Sequence, residues 1–149
     1  REDSDQPPRR RALAAHRGRN AAVTRAVLDS NALMAPVEVG VRTFAELDRL
    51  LGEYDAVVPD AVLAELDRRS ARGGETAKAA RVGADLARRE CEAVDHDAGY
   101  ADDAVLEVGG RAGIDYAVTS DMPLRGRLLE ANVPVICLRG RTKFEITQP

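Results

Sequence analysis

The sequence predicts an α/β fold in which a five-stranded parallel sheet is covered by helices on both faces. Short apolar runs alternate with amphipathic stretches of helical length from Val23 onward. The 149 residues fit one domain. A content of 44% hydrophobic and 3% aromatic residues, with no Trp, makes the core one of Ala, Val and Leu, rich in helix and dependent on close backbone approach. Parallel strands need crossover connections, and the alternating helices supply them.

The elements follow in order. Residues 1–22 read as a mobile basic tail, with Arg1, Arg9, Arg10, Arg11, Arg17 and Arg19 among prolines and little apolar pattern. The tail either touches nucleic acid or precedes the true start of the domain, and the second reading is preferred; His16 within it has no assigned role. Residues 23–149 form the domain. Its first strand is "RAVLD". "RTFAELDRLLGEY" is a helix, with a capping box of Thr43 and Glu46, an apolar stripe of Phe44, Leu47, Leu50 and Leu51, and Gly52 as its stop. "AVVPD" is the second strand, and Asp60 after Pro59 caps the helix "AVLAELDRRSARGG". Gly73 and Gly74 break the chain before the amphipathic helix "ETAKAARVGADLARRE". "CEAVDH" is the third strand, "YADDAVLEVGGRAG" a helix closed by glycines, and "DYAVTSD" the fourth strand. "PLRGRLLEAN" is a helix with Pro123 in its first turn, and "VPVICLRG" is the fifth and most apolar strand.

Composition excludes several classes. A net charge of −3, from 22 basic and 25 acidic residues, does not advertise a nucleic-acid binder at the level of the whole chain. Lysine occurs only at Lys78 and Lys143; a GC-rich genome and a salt-adapted host both produce such a bias. Cys91 and Cys137 each fall in an expected strand, so two buried free thiols are expected rather than a disulfide. No residues have zinc-ligand spacing. The apolar runs are far shorter than the ~20 residues of a membrane span, and the N-terminus has no apolar signal segment. The expectation is a soluble cytoplasmic protein with no membrane contact.

The stretch "RAVLDSNALM" poses the functional question. Its apolar strand runs directly into Asp29, Ser30 and Asn31. These residues make either a helix cap or turn, or a strand end built to hold a ligand. In parallel sheets, ligands bind at the carboxyl ends of the strands. Asp29 ends the first strand and Asp121 the fourth. Glu65 stands near the start of the helix leaving the second strand, and Asp102 and Asp103 occupy the first turn of the helix after the third. Asp60, Asp102 and Asp121 each have an ordinary reading as first-turn acids, and Glu65 one as the solvated border of its helix. Together they deliver several carboxylates to one rim, where their mutual repulsion calls for a cation. Hard oxygen ligands suit Mg²⁺ or Mn²⁺. Such an ion activates water and clamps phosphate oxygens, which is the chemistry of phosphodiester hydrolysis.

These segments, in this order, resemble the PIN-domain nucleases. "VLDSNALM" is similar to the family's first acidic motif, "VVPDAVLAEL" to the second, "GYADDAVLEVG" to the third and "YAVTSDMPLRGRL" to the fourth. The closing "VPVICLRGRTKFEI" is similar to archaeal members, and the resemblance covers about residues 24–146. It implies a three-layer α/β/α fold and Mg²⁺- or Mn²⁺-dependent endoribonuclease activity on single-stranded RNA, in toxin-type cleavage or rRNA processing. It also implies metal-binding and catalytic roles for Asp29, Glu65, Asp103 and Asp121. Ser30, Asn31 and Ser120 match polar supporting positions, with Ser30 standing where Thr is common. Asp103 is preferred over Asp102 because Ala104 and Val105 follow it as in the family pattern; Asp102 is a helper or a cap. Asp29, Asp103 and Asp121 would hold the main ion, and Glu65 a second ion or the attacking water.

Candidate phosphate contacts near the rim are Arg125, Arg127, Arg139, Arg141 and Lys143. Arg68, Arg69, Arg72, Arg81, Arg88 and Arg89 read as solvated helix faces. Tyr100 is the aromatic best positioned for a base, although a Tyr at a helix start also serves packing. His96 reads mainly as part of a surface loop. Expected partners are the RNA substrate, an antitoxin or a ribosomal precursor, and a second copy of the chain through Ala-rich helices. The principal rival is a catalytically weak RNA-binding scaffold on the same fold. An aspartyl-nucleophile phosphotransferase is disfavoured by Asn31, where that chemistry wants a second Asp. A dinucleotide-binding domain is disfavoured because no glycine-rich loop follows the first strand.

Overall fold

The computed structural model describes residues 23–149, so the expected basic tail lies outside the described residues. The chain order is β1 (Thr24–Leu28), α1 (Ser30–Glu38), α2 (Thr43–Leu51), β2 (Tyr54–Pro59), α3 (Asp60–Ser70), α4 (Gly74–Glu90), β3 (Cys91–Val94), α5 (Ala101–Gly109), β4 (Tyr116–Val118), α6 (Met122–Glu130), β5 (Val135–Arg139) and β6 (Lys143–Thr147). The sheet has the order β3-β2-β1-β4-β5-β6. Strands β1 to β5 pair in parallel, and β6 returns antiparallel along β5. The fold is a three-layer α/β/α sandwich. Consecutive strands run outward from β1 to β3, then the chain crosses back to β4 on the other side of β1. That reversal opens a crevice above the carboxyl ends of β1 and β4, the usual ligand position in such sheets.

The core is aliphatic, as expected. Val27, Leu28, Val57, Val58, Val135 and Ile136 fill the sheet, and Leu33, Leu47, Leu66, Leu124 and Leu128 cover it from the helices. Cys91 and Cys137 are buried free thiols. Small residues set the helix spacing. A Cβ on Gly83 of α4 would stand 3.1 Å from the Leu33 carbonyl oxygen of α1. Because that neighbour is backbone, α1 would have to move. Gly83→Ala is expected to destabilise the fold by about 1–3 kcal/mol in urea denaturation; an unchanged midpoint would show that α1 shifts freely.

Four expectations need correction. The sheet contains six strands, not five, because "KFEIT" returns beside β5 through a turn at Gly140, whose φ is 66°. The residues after Asp29 form a helix, α1, where the sequence reading had none. The capping box does not form. Arg42 is the N-cap of α2, the Thr43 hydroxyl donates to the Ala32 carbonyl at 2.7 Å, and Glu46 accepts from Arg49 at 2.8 Å and from the Phe144 N–H at 2.9 Å. These bonds hold the Glu46 carboxyl below its ordinary pKa. Asp60 does not cap α3: Pro59 is the N-cap, and the ring of His96 accepts the Ala61 N–H through Nε2 at 2.9 Å. Among the described residues, no helix is long and apolar enough to cross a membrane.

Candidate active site

Asp29 continues β1 past its last strand residue, its N–H donating to the Val118 carbonyl at 3.0 Å. Its backbone thus stays tied to β4 while its side chain caps α1. Only 2% of Asp29 is exposed. Oδ1 accepts the Ser30 N–H at 2.8 Å, and Oδ2 accepts the Thr119 hydroxyl at 2.8 Å and the Asn31 amide at 2.9 Å. One residue is therefore both a helix cap and a buried strand-end carboxylate. Among the described residues, no cation pairs with it. Burial pushes its pKa up from 3.8 to about 6, against the pull of the Thr119 and Ser30 bonds, and the charges of Asp102 and Glu65 push it the same way.

Thr119, which the sequence reading did not single out, joins the two strand ends. Besides donating to Asp29, its Oγ1 accepts from the Asn31 amide and from the Asp121 N–H, each at 3.1 Å. Its hydroxyl is fully used. Asn31 returns the connection by accepting the Ser120 N–H at 2.9 Å. Ser120 serves the next strand, its Oγ accepting the Leu138 N–H of β5 at 3.0 Å. Asp121 then caps α6, with Oδ1 accepting the Leu124 N–H at 3.0 Å. The available signal for Thr119 was its position two residues before Asp121, next to the buried Val118.

Glu65 projects from α3 with 19% of its side chain exposed, paired to Arg69 at 2.8 Å. On α5 the two adjacent acids separate. The Asp102 pKa is raised by burial, then by the charges of Asp121 and Glu65, while Arg127 pulls it down. Asp103 instead receives a 2.9 Å hydrogen bond from Arg127. The charges of Asp102 and Glu65 act on Asp29, and those of Asp121, Glu65 and Asp103 act on Asp102, so acids from four elements border one crevice. Asp102, expected as a helper, carries the raised pKa of the doublet, and Asp103, expected as the ligand, adds its charge to that field.

The donor set is all carboxylate oxygen, which suits a hard divalent cation. Among the described residues, no three Asp, Glu, His or Cys side chains converge to enclose an ion by themselves. An ion here would be held partly through water, the habit of Mg²⁺. Around the crevice the expected cations divide. Arg127 is paired with Asp103, and Arg125 reaches Thr147 Oγ1 of β6 at 3.3 Å. Arg139 pairs with Glu145 at 3.4 Å, and Arg141 and Lys143 are exposed around the β5–β6 turn. His96 serves the α3 cap described above.

Comparison with known proteins agrees with this architecture. A family model described as a PIN like domain matches residues 26–141. Ribonuclease VapC4 of Methanocaldococcus jannaschii is 30% identical over 126 residues, covering 80% of this chain and 94% of the relative. The solved structure of the PIN domain endonuclease Utp24 superposes with a TM-score of 0.68 at 19% identity, covering 84% of this chain and 92% of that one. The chain belongs to the PIN-domain family of nucleases.

Proposed function

We propose that the protein is a Mg²⁺- or Mn²⁺-dependent endoribonuclease that hydrolyses phosphodiester bonds in single-stranded RNA. The observation that carries this reading is the placement of Asp29, Glu65, Asp121 and the Asp102–Asp103 doublet around the crevice at the strand-order reversal. A hard divalent ion bound there supplies Lewis acidity at a phosphate oxygen and a water of lowered pKa. Asp29, Asp121 and an acid of the Asp102–Asp103 doublet are the residues that would hold it. Thr119 and Asn31 fix the Asp29 carboxylate, and the α6 cap fixes Asp121, so these oxygens are oriented before substrate arrives. Glu65, steadied by Arg69, orients the attacking water or holds a second ion. Arg127, Arg139, Arg141 and Lys143 meet the phosphates beside the break. Relatives named as a ribonuclease and an endonuclease support this reading.

The same chemistry serves two settings, toxin-type cleavage restrained by an antitoxin partner and maturation of a ribosomal RNA precursor. A second reading, an RNA-binding scaffold, draws on one observation: the acids do not by themselves enclose an ion. Incubation with a mixed pool of single-stranded and structured RNA separates the two. Cutting in Mn²⁺ or Mg²⁺ that stops in EDTA is the expected result. RNA binding without cutting in either metal would replace the nuclease with the scaffold.

A further inference from the structure

Beside the acidic crevice lies a cleft of about 350 Å³ between the start of α3 and the loop joining β3 to α5, and the mechanism above leaves it unused. Its lining includes Asp60, Arg68, His96, Gly99 and Tyr100. We infer that this cleft is a nucleobase subsite, in which one unpaired base of the RNA strand stacks on Tyr100 next to the cleaved phosphate. The inference rests on the nuclease reading for the cleaved bond, but not for the binding of the base.

Tyr100 is 77% exposed, so it does not serve the packing role a Tyr at a helix start commonly has. Its backbone carbonyl accepts the Ala104 N–H at the start of α5, which fixes the position from which the ring projects. An exposed aromatic ring is what a splayed base stacks on, whatever its identity. Ala98 and Gly99 beside it add almost no side chain, leaving the ring approachable. The opposite wall is held rigid, because His96 is tied to the Ala61 N–H.

Position and charge favour a nucleotide over another flat ligand. The cleft is lined by Ala64 and Ala101, the chain neighbours of the crevice acids Glu65 and Asp102. The cleft and the crevice therefore share two helices and adjoin, so a strand whose phosphate lies over the acids can send a neighbouring base into the cleft. Arg68 follows Glu65 by three residues on α3 and makes no ion pair among the described residues, unlike Arg69, Arg88, Arg111 and Arg127. An uncommitted guanidinium on the wall suits the phosphate that leads a base in. Asp60, whose carboxyl also meets that of Asp95, leaves further oxygen lone pairs for the N–H groups on a base edge. A base held in a duplex cannot enter, so the cleft would also select single strands.

The test measures binding rather than cleavage. Fluorescence anisotropy in Mg²⁺ would compare Asp29→Asn protein with the same protein also carrying Tyr100→Ala or Tyr100→Phe. The ligands are a single-stranded RNA oligonucleotide, its annealed duplex, and oligonucleotides with one abasic position moved along the strand. Tyr100→Ala is expected to weaken single-strand binding by about tenfold or more, with duplex binding unchanged and Tyr100→Phe close to the parent. One abasic position should weaken binding similarly, and that loss should vanish when Tyr100 is Ala. Equal single-strand affinity of the parent and Tyr100→Ala, or no RNA binding at all, would overturn the subsite. Failure of wild-type protein to cut RNA in any metal would remove the nuclease reading and leave this binding result to stand or fall separately.

Discussion

Asp29→Asn is expected to abolish RNA cleavage and, in the same molecule, to make the metal-free fold more stable at neutral pH. The first effect follows from the loss of the most buried charged oxygen in the crevice, which should cost several kcal/mol of barrier lowering, or more than about 10²-fold in rate. The second follows from the raised pKa. With a folded pKa of about 6 against an ordinary 3.8, the native chain binds this proton more tightly than the unfolded chain does. The group's contribution is fully present below the unfolded value and is lost as pH rises through the folded one. Above that, the ionised carboxylate stands at a disadvantage on the order of 3 kcal/mol. Asparagine recovers only part of this, about 1 kcal/mol, because one side-chain position now accepts from both Thr119 and Asn31, and an amide NH₂ there would meet the Asn31 donor. Urea denaturation in EDTA should show wild-type stability falling, relative to the variant, between about pH 4 and about pH 7. Parallel pH profiles would show that burial does not load this carboxylate.

The second large effect separates two adjacent acids. Asp102→Asn is expected to reduce cleavage by more than about 10²-fold, because Asp102 shares its field with Asp121 and Glu65. Asp103→Asn breaks the contact with Arg127, in which both side chains are nearly half exposed, and removes the last-ranked of the charges acting on Asp102. A pair of that kind contributes about 0–1 kcal/mol, so activity should fall by less than about tenfold. Single-turnover cleavage of one defined RNA strand would rank the two. The reverse order would move the metal-binding role to Asp103, in line with the family spacing.

The contrast between these two acids marks where the sequence was legible. Strands β1 to β5 announce themselves as apolar runs ended by Asp, Pro or Gly, and α2, α4 and α6 carry visible stripes or stops. Helix α1 was hidden because "NALMAPV" is apolar on most sides and contains Pro36, so it shows no polar face of helical period. That gap caused a second error. With α1 unseen, the Thr43 hydroxyl looked available for capping, whereas the Ala32 carbonyl of α1 takes it. Strand β6 is short and polar at its start, and only its pairing with β5 defines it. For the site, the four acidic segments could be read from strand ends and helix starts. Which acid of the Asp102–Asp103 doublet faces the crevice depends on the rotation of α5 against the sheet, and which hydroxyl of Thr119–Ser120 meets Asp29 depends on where β4 stops. Neither is written in local pattern.

The bonds around Phe144 bear on how copies of the chain can meet. Strand β6 is the last in its sheet, and its outer backbone would ordinarily present unpaired donors and acceptors to a passing strand. Here the Phe144 N–H is taken by Glu46 and its carbonyl accepts from Arg49 at 2.9 Å. Two side chains of α2, themselves ion-paired at 2.8 Å, thus stand where a seventh strand would dock. The arrangement blocks a seventh strand at Phe144, and so works against fibre-like growth of a valine-rich parallel sheet through its antiparallel end.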